Sequence, residues 1–305
     1  MTDKARAMVL AAFAADALAL GAHWIYDTEL IDRKIGQPDA YTNPTPPTFH
    51  GTKSDGDFTH YGDQTLVLLA SVAAASGFDL SHFAASWQQF FNGYDGYFDG
   101  ATKKTLEHLE NGAGIGNAGS SSNDLAGAAR IAPLVYFYRH DPEKLIGSAR
   151  AQTAFTHNES HVIDAAGAFS RIALDSMAGS PPSRAISALL AHPDTGDTLS
   201  SWLSQGLESA GTDTRTAIAR FGQMCEIDAA LPATVHLIAK YEDSLQTALI
   251  ENVRAGGDSA GRGLLVGMIL GAYRGHSAIP SRWLTEMNAH DRIITLMNQM
   301  DGGAK

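Results

Sequence analysis

Apolar positions recur along this chain in long runs with no sustained alternation, so the period is that of helices and the fold class is all-α. Two segments are apolar on almost every face. In the first helix, 4–20, the run that follows Lys4 and Arg6 carries one interruption, Asp16, and residues 264–272 carry only apolar side chains and glycine. Helices of that kind belong in the centre of a domain. Gly263, Gly267 and Gly271 read as points where a neighbouring helix packs closely, and Gly256-Gly257 as a tight bend before this second helix. Asp16 needs a hydrogen-bonding partner, because an unpaired carboxylate in such a core costs several kcal/mol. Further helices are predicted over 66–75, 81–91, 101–110, 125–138, 142–155 behind an Asp141-Pro142 start, 161–177, 183–190, 198–208, 214–223, 232–240 opened by Pro232, 245–254 capped by Ser244, and 282–300.

Composition adds boundaries. With 305 residues, 44% hydrophobic and 18% charged, the chain can bury an extensive core, and no low-complexity linker divides it, so residues 1–305 are read as one domain. A formal net charge of −11 argues against nucleic-acid partners and against an anionic membrane surface. Lys4 and Arg6 precede the apolar run at 7–20 in the manner of a signal peptide, but Asp16 interrupts it and it is too short to span a membrane. One cysteine, Cys225, leaves no intrachain disulfide and fits a reducing, cytoplasmic compartment.

The chemistry-bearing residues cluster at helix starts and interhelix turns. Residues 36–62 form an irregular stretch rich in Pro, Gly, Thr and Asp, the kind of loop that is usually functional. It delivers Asp63 to the start of one core helix, as Gly256-Gly257 delivers Asp258 to another. Each carboxylate either caps its helix or faces a cleft. His23 follows the first helix, and Thr156-His157-Asn158 joins two others. The glycine- and serine-rich turn at 112–124, with Gly116, Asn117, Ser120 and Ser121, offers backbone amides to a phosphate, without the lysine-serine pair or the preceding strand of a P-loop. A helical domain gathers such ends around one cleft, so Asp63, His157 and Asp258 are expected to surround a common pocket.

Five motifs then carry a family resemblance. Ala15-Asp-Ala-Leu18, Gly62-Asp-Gln-Thr65, Ala128-Ala-Arg-Ile-Ala-Pro133, Thr156-His-Asn158 and Ala255-Gly-Gly-Asp258 stand in the order and approximate spacing of the ADP-ribosylglycohydrolase family. His23-Trp-Ile-Tyr-Asp27 resembles the branch that includes J-crystallin. The resemblance implies an orthogonal helical bundle whose cleft takes ADP-ribose, small or protein-linked, beside two divalent metals held by a Ser/Thr-Asp-Asp triplet, a late Asp-x-Asp-Thr/Ser motif and a Glu after the first helix. Here Gly62, Gln64, Ala260, Gly261 and His23 replace five of those ligands, and Asp63 and Asp258 remain. Two carboxylates supply too few oxygens for two magnesium or manganese ions, so the expectation is a weak or single-site ion, or none. By the same resemblance Asp63 or Asp258 activates water, His23, His157 and Asn158 contact substrate, and the Gly116–Ser122 turn holds phosphate. Arg262, one turn after Asp258, neutralises that carboxylate or binds a phosphate. The implied activity is hydrolysis of an N- or O-ribosyl bond; the alternative is a non-catalytic nucleotide-binding or crystallin-like descendant.

Overall fold

The computed structural model describes residues 2–192 and 195–303; of the 1–305 span, Met1, Pro193, Asp194, Ala304 and Lys305 lie outside it. Among the described residues there are helices, two isolated bridges and no strand, and one continuous hydrophobic core runs from the first helix to the last. The two all-apolar segments lie at its centre as the helices Thr2–Ala19 and Ser259–Arg274. They pack backbone to backbone. A Cβ placed on Gly271 would lie 2.8 Å from both the Ala11 Cβ and the Ala7 carbonyl oxygen, and one on Gly267 would run into the Ala11 carbonyl. Glycine at these positions is therefore what permits the contact.

Asp16 has its partner. Its carboxylate accepts hydrogen bonds from the Thr59 amide at 2.8 Å and the Thr59 hydroxyl at 2.7 Å, which ties the N-terminal helix to the start of the helix His60–Ala75. Burial nonetheless pushes Asp16 up to about 7. The same carboxylate explains Gly62: a Cβ there would sit 2.7 Å from the Asp16 Cγ.

Several predicted helices are cut differently. The segment 125–138 is two short helices, Ala126–Ala129 and Ala132–Phe137, because Pro133 has no N–H to continue the first. Pro232 lies inside the helix Ile227–Lys240 and does not open it. A helix Thr28–Lys34 follows Asp27, whose carboxylate caps it through the Glu29 and Leu30 amides. The C-terminal segment breaks into Ser281–Thr285 and His290–Gly303, and the break anchors the irregular stretch that precedes His60. Asn288 accepts no place in a helix there: its amide donates to the Gly56 carbonyl at 3.1 Å and its side chain to Asp57 at 2.9 Å. Tyr41 donates to the Trp283 carbonyl, and the Trp283 indole to Asp39. A long loop is thus fixed at both ends of its run and can hold His50 in the interior.

Candidate active site

Three histidines meet beneath the surface. His23 leaves the N-terminal helix, His50 comes from the pinned loop, and His60 opens the helix His60–Ala75; they are 5%, 1% and 0% exposed, so each imidazole is cut off from bulk water. His50 Nε2 lies 3.2 Å from His60 Nδ1. His23 is placed by a backbone clamp in which the Trp24 amide donates to the Gly257 carbonyl at 2.9 Å and the Gly257 amide donates to Ile25 at 2.8 Å. Gly256 and Gly257 make the bend foreseen for them, with φ of +71° and +68°. The clamp holds His23 Nε2 3.6 Å from Asp258 Oδ1. It also forces Trp24 to φ +65°, a conformation that costs an L-residue on the order of 1–3 kcal/mol and that turns the indole outward.

Asp258 stands before the helix Ser259–Arg274 without capping it: neither carboxylate oxygen has a hydrogen-bond partner. Burial raises Asp258, Arg262 working against it, and burial keeps His23 neutral, so their contact is not an ion pair. Asp124 is raised well above the carboxylate range by burial and by Asp258 nearby, while the Tyr61 hydroxyl donates to it at 3.0 Å. Asp99 goes the other way. Burial opposes its ionisation, but His60, whose Nε2 is 3.3 Å from Asp99 Oδ2, together with the Thr102 amide, holds it well below the usual range.

A cavity of about 520 Å³ opens beside this group, with Asp99 and Asp124 in its wall, Ser120, Ser121 and Ser122 along one side, and Lys104 near its edge. Trp24, Phe49 and Tyr97 form an aromatic mouth with ring centroids 5.1–5.5 Å apart, Phe49 being 64% exposed.

A buried cation, Arg130 of the motif at 128–133, lies near Asp99 and Asp124 and outside the cavity lining. Arg130 is 2% exposed; it donates to Gln64 Oε1 and to Thr156 Oγ1, and Asp99 sustains its charge against a burial that lowers it to about 10. Gln64 Oε1 also accepts from the Trp87 indole at 2.8 Å, so its carbonyl is fully engaged.

The sequence candidates fall into three groups. His23, Asp258, Ser120 and Ser121 belong to the centre or its cavity. Asp63, His157 and Asp258 do not share the cavity expected of them: all three lie outside its wall, Asp258 against His23 and the other two in contacts of their own. The Asp63 carboxylate pairs with Lys53 at 2.6 Å and accepts from the Tyr94 hydroxyl at 2.7 Å. His157 is buried against Gly127 and lowered to about 3 by burial and Arg130, with Nδ1 on Thr156 Oγ1. The third group is displaced. Gly116 and Asn117 are exposed and outside the cavity lining, and Asn158 is exposed with its amide on the Ser120 carbonyl. Arg262 binds no phosphate: it is 0% exposed and donates to Asn252, Gln223 and the Gly256 carbonyl, fixing the bend that carries Asp258. Of its two expected roles Arg262 keeps the first, its charge acting on Asp258 from within the core, and Arg130 is a second buried guanidinium, near Asp99 and Asp124.

A sequence profile of the ADP-ribosylglycohydrolase family matches residues 1–304. The chain belongs to that family. Crystallin J1A and Crystallin J1B of Tripedalia cystophora are 22% and 21% identical to it, over 98% of this chain and 96% of their own. An uncharacterised protein of Archaeoglobus fulgidus is 24% identical with the same coverage. A solved structure described as an ADP-ribosylglycohydrolase-related protein complex superposes with a TM-score of 0.73 at 21% identity, covering 100% of this chain and 99% of that one, and establishes the shared fold. Within the family fold the donor set at the expected metal positions is poor in oxygen. Gly62, Ala260 and Gly261 have no donor, Gln64 is held by Arg130 and Trp87, and Asp63 by Lys53. Such a set does not suit two hard cations.

Asp99, Asp124, Arg130, His50 and His60 were not legible as site residues. The available signals were Asp99-Gly100 at a helix start, in the pattern of Asp63 and Asp258, and a lone arginine within the apolar run 125–137.

Proposed function

We propose that this chain hydrolyses the ribosyl bond of an ADP-ribose-type substrate in the 520 Å³ cavity, using carboxyl groups of its wall in place of a two-cation centre. The observation that carries the reading is that two carboxyl groups facing one cavity are pushed in opposite directions, Asp124 toward its neutral form by burial and Asp258, Asp99 toward its ionised form by His60 and the Thr102 amide. That division is what acid–base cleavage of a glycosidic bond requires. Asp124 gives its proton to the departing nitrogen or oxygen as the bond to the anomeric carbon breaks. Asp99 faces the positive charge that develops on the sugar and takes a proton from the water whose oxygen joins that carbon. Asp258, buried behind them, keeps Asp124 protonated. Asp63 positions Lys53 and Tyr94. The aromatic mouth suits an adenine ring, and Lys104 with the serines of 120–122 suits the phosphates. The volume falls within the range of small-molecule sites.

The two crystallin relatives favour a second reading, a cleft that binds without reacting. One experiment separates them. Wild type and Asp124→Asn would be incubated with ADP-ribosylated arginine and serine peptides and with O-acetyl-ADP-ribose, release of ADP-ribose being followed by chromatography and its binding by calorimetry. Turnover by the wild type that falls about 10²–10⁴-fold in Asp124→Asn, with binding retained, is the expected result. Binding without turnover by the wild type would establish the non-reacting cleft, and neither binding nor turnover would remove this substrate class.

A further inference from the structure

We propose that His23, His50 and His60 form a binding site for one divalent first-row transition-metal ion of the zinc type, with the Asp258 carboxylate beside His23 and the fourth position open to water. The candidate ligand atoms of the three imidazoles all lie within 4.8 Å of one another. Two of them, His50 Nε2 and His60 Nδ1, are 3.2 Å apart, close to the edge of about 3.3 Å expected of a tetrahedron with metal–nitrogen bonds of about 2.0–2.1 Å. Beside them are atoms that the protein itself leaves unsatisfied: His23 Nε2 and both carboxylate oxygens of Asp258 have no hydrogen-bond partner although fully enclosed, while His23 Nδ1 receives only a long 3.4 Å contact from the Ala260 amide. Buried polar groups are normally paired, and a cation among the three imidazoles would satisfy His23 Nε2 and offset the unpaired Asp258 carboxylate beside it.

The surroundings are those of a metal-binding histidine. If Nδ1 of His60 faces the ion, Nε2 carries the proton and points toward Asp99 Oδ2 at 3.3 Å, the carboxylate–histidine relay that fixes ring orientation around bound metals. Asp99 is itself anchored by the Thr102 amide. Burial and mutual repulsion keep His23 and His50 unprotonated, the state a ligand must have. Imidazole selects zinc, cobalt, nickel or copper over magnesium and calcium, so this centre differs in donor chemistry from an oxygen-ligated pair of hard cations. It does not rest on the proposed hydrolysis.

The test is optical. Chelator-treated full-length protein would be titrated with Co²⁺ alone and the visible d–d bands of a four-coordinate site recorded, then challenged with Zn²⁺ and, separately, with excess Mg²⁺. One equivalent of Co²⁺ is expected to develop the bands, Zn²⁺ to abolish them and Mg²⁺ to leave them. His50→Ala, in a loop, should lose the bands; Asp99→Asn should retain them with affinity lowered about 10–100-fold. His161→Ala, at a partly exposed histidine elsewhere, controls for surface binding. Should His50→Ala unfold by circular dichroism, His50→Gln gives the same reading with less change in volume. Absence of the bands, their survival in the His50 variant, their loss in His161→Ala, or their displacement by Mg²⁺ would each overturn the assignment.

Discussion

Replacing glycine by alanine should have opposite effects at two helical positions, and the neighbours decide the sign. Gly147 lies within the helix Pro142–Thr156, is exposed, and has nothing within 4 Å of where a Cβ would go. Alanine there restricts the unfolded chain and favours the helix, a gain of about 0.5–1 kcal/mol. At Gly267 the same intrinsic gain of about 1 kcal/mol meets an added carbon 2.8 Å from the Ala11 carbonyl carbon and 3.0 Å from the Ala15 Cβ. The obstacle is largely backbone, which cannot rotate away as a side chain can, so the helices Thr2–Ala19 and Ser259–Arg274 must separate along their contact. Overpacking of that kind costs about 1–3 kcal/mol, and a rigid neighbour places it at the upper end, leaving a net loss of about 2 kcal/mol. At about 2–4 °C per kcal/mol, Gly267→Ala should lower Tm by about 5 °C and Gly147→Ala should raise it by about 2 °C. Scanning calorimetry of the two variants side by side measures both. If Gly267→Ala melts at or above the wild type, the close approach of the two central helices does not exist as described.

Asp16 sets a pH dependence. Its folded pKa of about 7 lies above the ordinary 3.8, so the folded state holds a proton that the unfolded state releases; the stability so gained is full below about pH 4 and lost as pH rises through 7. The effect is on the order of 4 kcal/mol at most, and urea midpoints of wild type against Asp16→Asn should converge at low pH and shift in favour of the variant above pH 7; parallel curves would refute the shift. Asp63→Asn removes the partner of a largely buried Lys53, so a stability loss of about 3 kcal/mol is expected with turnover reduced less than tenfold in the folded protein. Turnover lost as completely as in Asp124→Asn would return Asp63 to the chemistry.

What the residues revealed in advance follows from how local each signal is. The all-apolar runs, the Gly256-Gly257 bend and the caps at Asp141 and Ser244 are decided within a few residues, and the structure has them. The break at 286–289 was hidden because its cause is remote: Asn288 leaves the helical pattern to bind Gly56, more than two hundred positions earlier. The same holds for the cleft. Asp258 was legible from its place after two glycines, but its failure to cap depends on His23, and nothing adjacent to Arg130 in sequence announces that its partners are Gln64 and Thr156. For Arg262 the spacing of four gave its electrostatic partner, Asp258, but not its burial, because it places two groups on one face without saying whether that face meets solvent.

The outward turn of Trp24 makes the protein its own optical sensor. Of the four tryptophans, Trp87 and Trp283 are sealed in the core, whereas Trp24 stands at the cavity mouth with its ring stacked on His23 at 4.4 Å. An indole in that position has one face toward an arriving ligand and the other on an imidazole that burial keeps neutral. Anything that enters the cavity, or that alters His23 from behind, changes the fluorescence of the same side chain without any label being attached.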